Sequence, residues 1–235
     1  MKILAFDFSS SLRSVAVVVV EDKGADSASG MPGKPGVRVT GRALGKGAKR
    51  TDAFELIESA LGQAGVKRGE IECLAVGLGP GSYMGIRAAL AVAQGWQLAL
   101  GVRVVGVSSV ECVAAQLAAD GISGSCSVIV DAQRREFYRA DYELVGGASH
   151  EKGGLRLVGL EALRLAAEAG ERLAGPEARL WFPSAQDCYP DAGMLGMLAA
   201  SRSENVPAET LEPIYLREVS YVKAPQPRIF PSKPD

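Results

Sequence analysis

An α/β protein built as two lobes is what this sequence predicts, and three observations carry that expectation. Strand-type and helix-type patterns alternate along the first half. A unit of apolar strand, Asp, polar turn and second strand occurs twice. The 235 residues suffice to bury roughly 70 to 75% of the unfolded surface. The residues AVILMFWYC make up 47% of the chain and charged residues 23%, ordinary globular usage that excludes a disordered, collagen-like or coiled-coil chain. Lys and Arg total 26 against 27 Asp and Glu, a formal net charge of -1. That balance provides no overall basic field for nonspecific capture of nucleic acid, so any RNA contact is local or supplied by a partner.

In chain order, Lys2 to Phe8 and Ser14 to Glu21 read as a β-hairpin, since the run AVVVV is β-branched and too short for a buried helix. The stretch Asp22 to Gly36 is rich in Gly, Ser and Pro and reads as a long hairpin insertion before a third strand, VRVTGRAL. Asp52 with Glu55 forms a capping-box pattern; Phe54, Ile57, Leu61 and Ala64 then share a helical face that stops at Gly65. A buried-type strand from Ile71 to Leu78 runs into GPGS, followed by a long helix to Leu100 before Gly101. The strand RVVGV completes the order βββαβαβ in the first lobe, and a helix opened by Ser108 and Glu111, running to Ala119, then leads to the strand SCSVIVDA.

That last strand ends in Asp131 and restarts the opening design: the turn AQRR follows, and EFYRADYEL puts Tyr138, Ala140, Tyr142 and Leu144 on one strand face. The second copy continues less regularly, with a strand near Leu155, a helix from Glu161, a strand from Arg179 to Phe182 and a helix from Ala192 to Ser201. Six of the twelve prolines lie from Pro207 onward, which predicts an extended tail. The expected division is a first lobe over 1–106 with its insertion near 22–36, a degenerate second lobe over 107–206, and a Pro-rich tail over 207–235.

Several chemistries are disfavoured at once. Cys73, Cys112, Cys126 and Cys188 are far apart, without a CxxC or a neighbouring His, which argues for reduced core thiols rather than zinc or disulfides. The single histidine, His150, disfavours hydrolytic zinc and nonhaem iron sites and a Ser/His/Asp triad. No metal site is expected. The start MKILAFDFSSS does not make a signal peptide, and the apolar stretch from Ala88 to Val102 is broken by Gln94 and Gln97, so a cytoplasmic protein with no membrane span is expected.

Two motifs carry chemistry. An Asp ending a first strand before small hydroxyl residues suits phosphate and magnesium: hydroxyls and turn N–H groups bond phosphate while the carboxylate holds hydrated metal. Asp7, Ser9, Ser10 and Ser11 fit this, and with Asp131 they outline a nucleotide cleft of the actin, sugar-kinase and heat-shock ATPase type. The plainer alternative is turn chemistry alone, and the bulk of Phe8 favours it. The second motif is GLGPGSYMGIR, Gly77 to Arg87, a sharp glycine turn between strand and helix with Ser82 placed to cap. It is no P-loop, for no Lys follows, and Met84 stands where GxGxxG needs its last glycine. Along the next helix Ala88, Ala91, Gly95 and Ala99 form a stripe of small residues, which suits either a core helix or one that admits a neighbouring helix closely.

The segments KILAFDFSSS, AVGLGPGSYMGIRAALAVAQGWQLA, GVSSVECVAAQ, VIVDAQRREFYRADYEL and PIYLREV, in that order, resemble the TsaB (YeaZ) family, noncatalytic partners of the tRNA threonylcarbamoyladenosine transferase TsaD. The resemblance covers most of residues 1–140 and the piece Pro213 to Val219. It implies two actin-like (ASKHA, ribonuclease H-like) lobes and a part in attaching a threonylcarbamoyl group to the adenosine beside the anticodon. It also implies that Gly79, Pro80, Gly81, Ser82, Tyr83, Met84, Gly85 and Arg87 help form a dimer surface, with Ala88, Ala91 and Gly95 next to it. The implied partners are a TsaD-like catalytic subunit, a TsaE-like ATPase in a larger complex, or a second copy in a homodimer, with tRNA met only through the complex. No intrinsic cofactor is expected; ATP or ADP with magnesium would sit at a partner interface. Phe8 and Met84 stand where the family usually has Thr, the segment GKGAKRTDAFE lacks the family's His, and the 22–36 insertion is long. The catalytic relative holds metal with histidines, which His150 alone cannot reproduce. A scaffold subunit is therefore the leading expectation, and a stand-alone ATP-dependent phosphotransferase using Asp7 and Asp131 is the rival.

Overall fold

The computed structural model describes residues 1–21, 36–46, 53–203 and 205–216. Its first half comprises β1 (Lys2–Asp7), β2 (Leu12–Glu21), β3 (Gly36–Lys46), α1 (Ala53–Ala64), β4 (Cys73–Gly77), α2 (Tyr83–Leu100), β5 (Arg103–Val107) and α3 (Ser109–Ala119). The second half comprises β6 (Gly124–Asp131), β7 (Glu136–Val145), β8 (Ala148–Gly159), α4 (Leu160–Glu168), β9 (Leu173–Gly175), β10 (Gln186–Asp187) and α5 (Ala192–Ala200). The sheets run β3-β2-β1-β4-β5 and β8-β7-β6-β9-β10. In each, three antiparallel strands are followed by two parallel ones. The suspected duplication is therefore a repeated topology, and two mixed sheets with helices between and outside them are an actin-like layout.

Strands buried on both faces need unbroken apolar runs, and AVVVV is one. Leu4, Phe6, Val15 and Val17 face α1 and α2. Ile3, Ala5, Ala16 and Val18 face the opposite way, onto Ala192, Leu195 and Ala199 of α5 and Cys112 of α3. The rest of α3, through Val113, Ala114 and Leu117, packs on Tyr138, Ala140, Tyr142 and Leu144 of the second sheet, the face predicted for β7. Leu160 and Leu163 of α4 cover Ile129 and Phe137 beyond it. The order is thus helices, sheet, helices, sheet, helix, with α3 shared by both sheets and α5 beside it on the first.

Several expectations change. Phe54 is 52% exposed, and α1 is buried through Leu56, Ile57, Ala60 and Leu61. Its Asp52 cap lies outside the described residues, as do 22–35 of the insertion and 217–235 of the tail. Ser108 makes no side-chain cap; Glu111 instead receives two hydrogen bonds from Arg202, at 2.6 and 2.7 Å. The segment Arg179 to Phe182 is no strand: a 3-10 turn, Ala178–Leu180, points Ala178 and Phe182 into the second sheet, and the parallel strand is the three-residue β9. The helix α5, within the expected second lobe, packs on the first sheet. Its sequence AGMLGMLAA is apolar all round, which suits a helix between layers. The start of the tail returns with it: Ala208 is buried and Leu211 packs beside it against the first sheet. All four cysteines are buried and unpaired, and burial pushes the Cys126 thiol up to about 11.

Candidate functional site

The turn after β1 is organised around Asp7. Its carboxylate is wholly buried: Oδ1 accepts from the Ser9 N–H at 2.8 Å and the Ser9 hydroxyl at 2.6 Å, and Oδ2 accepts from the Ser109 hydroxyl at 2.6 Å. Burial pushes the Asp7 carboxyl above its ordinary value, against the opposing pull of the Ser109 and Ser9 hydrogen bonds. Phe8 is buried and stacks on Phe6 with ring centroids 5.8 Å apart. The Ser10 hydroxyl donates to the Leu12 carbonyl at 3.0 Å, and the Ser11 hydroxyl donates to Glu177 of the second lobe. Asp131 is partly exposed and accepts from the Gln133 N–H at 2.7 Å. Each aspartate therefore closes its own turn, and Ser11 with Glu177 makes one bridge between the lobes.

The glycine turn before α2 rests directly on that first turn. The Ser82 N–H donates to the Ser9 carbonyl at 2.6 Å. Gly81 and Gly85 lie so near the β1 turn that a Cβ would fall 2.1 Å from the Ser9 carbonyl oxygen and 1.9 Å from that of Phe8. Ser109 ties in the third segment: its N–H donates to the Gly79 carbonyl at 2.8 Å, and its hydroxyl accepts from the Gly79 N–H at 3.1 Å. Ser82 caps α2 by accepting from the Gly85 N–H at 3.3 Å, and Gly101, at φ 65, ends the helix. Gly79, Pro80 and Gly85 are accordingly interior and not themselves a surface. They hold the surface residues in place.

Those surface residues lie along one side of α2. Ile86, Ala89, Leu90 and Ala93 are buried on the chain's own sheet, whereas Tyr83 is 50%, Met84 71% and Leu98 90% exposed. Arg87, Ala91, Gly95 and Ala99 face solvent with them, and Ala88 is half-buried. The small-residue stripe thus turns outward. The Arg87 guanidinium lies 4.4 Å from the centre of the Tyr83 ring, and Tyr83 stacks on Tyr215 at 5.4 Å. Tyr215 is held there because the Ile214 N–H donates to the Leu78 carbonyl at 2.9 Å and the Ala208 N–H to Gln97 Oε1 at 2.6 Å. Sequence reasoning missed Tyr215 and Ser109. PIYLREV marks the former as part of a motif, but only packing shows that it extends the face of α2.

Residues 50–217 match the family model described as TsaD, tRNA N6-adenosine threonylcarbamoyltransferase. An uncharacterised protein of Mycobacterium tuberculosis is 34% identical over 166 residues, spanning 68% of this chain and 70% of the relative. The Escherichia coli tRNA threonylcarbamoyladenosine biosynthesis protein TsaB is 27% identical over 192 residues, 72% of this chain and 81% of that one. Among solved structures, YeaZ from Pseudomonas aeruginosa superposes with a TM-score of 0.71 at 25% identity, covering 92% of this chain and 99% of that chain. With its duplicated sheets and the GPGS turn seated on the first, the chain belongs to the threonylcarbamoyltransferase family that the TsaD model describes, on its TsaB (YeaZ) branch.

Proposed function

We propose that this chain serves tRNA threonylcarbamoyladenosine biosynthesis in the cytoplasm as a noncatalytic, activating subunit that pairs with a TsaD-like catalytic chain through the exposed side of α2. Kinship with TsaB supports the pathway, and the observation that carries the pairing is the outward side of α2. Met84 and Leu98 leave apolar surface in water there, and burying such a side chain contributes about 1.5 to 3 kcal/mol. Ala91 and Gly95 between them allow a second helix to approach to about 8 Å between axes. A homodimer would use the same face and compete with the catalytic partner. In this scheme a TsaE-like ATPase joins the larger complex, tRNA is met through that complex, and ATP or ADP with magnesium belongs at the partner interface.

The chain's own first-lobe turn does not suit a magnesium-bound nucleotide. Three of the roughly four acceptor positions of the Asp7 carboxylate are taken by Ser9 and Ser109, and Gly81 and Gly85 pack closely onto the Ser9 and Phe8 carbonyls beside it. That weighs against a stand-alone phosphotransferase. ATP turnover by the purified chain that Asp7→Ala abolishes would reverse the preference.

The test of pairing is a double measurement on Ala91→Trp. Co-elution with the TsaD-like subunit, and activation of tRNA modification in a reconstituted mixture, should be lost while the thermal midpoint of the lone chain stays near wild type. Retained co-elution with a lowered midpoint would place the stripe in the chain's own core, where overpacking costs about 1 to 3 kcal/mol. A catalytic subunit equally active without this chain would end the proposal.

A further inference from the structure

We infer that the turn between β6 and β7 is a contact for phosphate groups of RNA, made by Arg134 and Arg135. The starting observation is backbone. Gln133, Arg134 and Arg135 have φ of 66°, 57° and 62°, three successive non-glycine residues in the left-handed region, where a Cβ is crowded by the neighbouring carbonyl. The equivalent turn after β1 opens with the same bond, a carboxylate accepting from the N–H two residues on, yet none of its residues has a positive φ. The conformation is pinned on both sides: the Glu136 N–H donates to the Gln133 carbonyl at 3.1 Å, and the Leu160 N–H to the Arg135 carbonyl at 2.9 Å. Glycine would adopt these angles freely. Two large cationic side chains are instead carried where the backbone disfavours any side chain, and strain kept in this way points to a use for them.

Among the described residues, nothing in the fold uses these two side chains. Both are exposed, and neither bonds to another described residue. Every other arginine among the described residues is ion-paired, donates to a backbone carbonyl, or lies over an aromatic ring. Two adjacent guanidinium groups on a fixed turn present paired N–H donors of the kind that grip phosphate oxygens. In a chain of net charge -1 the contact is local, and two phosphates alone give weak binding. It becomes effective when the partner supplies the remaining contacts. Phosphate of tRNA is favoured over an acidic protein surface because the inference rests on the proposed role in tRNA modification.

The test uses the double variant Arg134→Gly/Arg135→Gly, transcribed tRNA as the probe, and both the lone chain at low ionic strength and its complex with the catalytic subunit. The thermal midpoint should be unchanged or raised, since strain is relieved, while low-salt tRNA binding by the lone chain is lost. In the complex the slope of log affinity against log salt should fall by about 1.4 to 1.8, the loss of two phosphate contacts. Arg134→Lys/Arg135→Lys should keep most of that slope. Unchanged tRNA affinity and slope, or a lowered midpoint with binding intact, overturns the inference. So does loss of co-elution with the catalytic subunit at unchanged tRNA affinity, which would make the turn a protein contact. Failure of the subunit role itself would show separately, as a wild-type chain that neither binds nor activates the catalytic subunit.

Discussion

The Ser109 hydroxyl serves two buried groups at once, donating to Asp7 and accepting from the Gly79 N–H. Ser109→Ala leaves a buried carboxylate oxygen and a buried N–H short of a partner, so a loss of about 1 to 3 kcal/mol is expected in denaturant unfolding. Asp7 itself gives a pH signature. Its folded carboxyl is raised above 3.8, so the folded chain holds the proton more tightly than the unfolded chain. The stability this contributes is complete below the unfolded value and is lost as pH rises through the folded one. Compared with Asp7→Asn, the wild type should therefore become relatively less stable as pH climbs from about 4 towards neutrality; a constant difference in midpoint would refute it. None of this was legible in the sequence. Ser109 reads as an ordinary residue at a helix start, and its partner lies 102 residues away.

Among elements, the ones legible in the sequence were those whose signals are local. The strand Arg103–Val107 is legible to the residue because Gly101 and Ser108 bound an apolar run, and α2 because its cap and stop are chemical signals. The strands β9 and β10, three and two residues long, are too short to show a period, and only pairing with β6 defines them. The GPGS turn could be singled out by its glycines, but the need for them lies in Phe8 and Ser9, which no spacing reveals. Gly85→Ala would drive a Cβ into the Phe8 carbonyl and lift the start of α2. It should lower the thermal midpoint and partner binding together, by about 1 to 3 kcal/mol in stability, in contrast with Ala91→Trp. On the second sheet, burial alone would raise Asp141, but hydrogen bonds from Arg139, Ser127 and Arg156 outweigh it and hold the carboxyl below 3.8. Its contribution is present above that value and lost as pH falls through the folded one. Asp141→Asn should accordingly flatten the acid limb of the stability curve and leave the difference near neutral pH constant.

At the scale of the whole molecule, α3 packs on both sheets, with α5 beside it on the first, and this ties the two into one cooperative unit. Periodicity located both helices, but it could not show which sheet α5 would join, because a helix apolar on all sides fits either. The lobes should unfold together. In single-cysteine variants, Cys73 of the first sheet and Cys126 of the second should become reactive to a thiol reagent at the same denaturant concentration, and separate midpoints would show independent lobes. The seating of the GPGS turn on the Asp7 turn has one more consequence. The GPGS turn packs its glycines onto the Ser9 and Phe8 carbonyls, and on the far side Ser11 is fastened to Glu177 of the second lobe. Braced in this way from both sides, the turn after β1 should keep its geometry when the outer face of α2 is altered, so Ala91→Trp should leave amide hydrogen exchange at Ser9 and Ser82 unchanged.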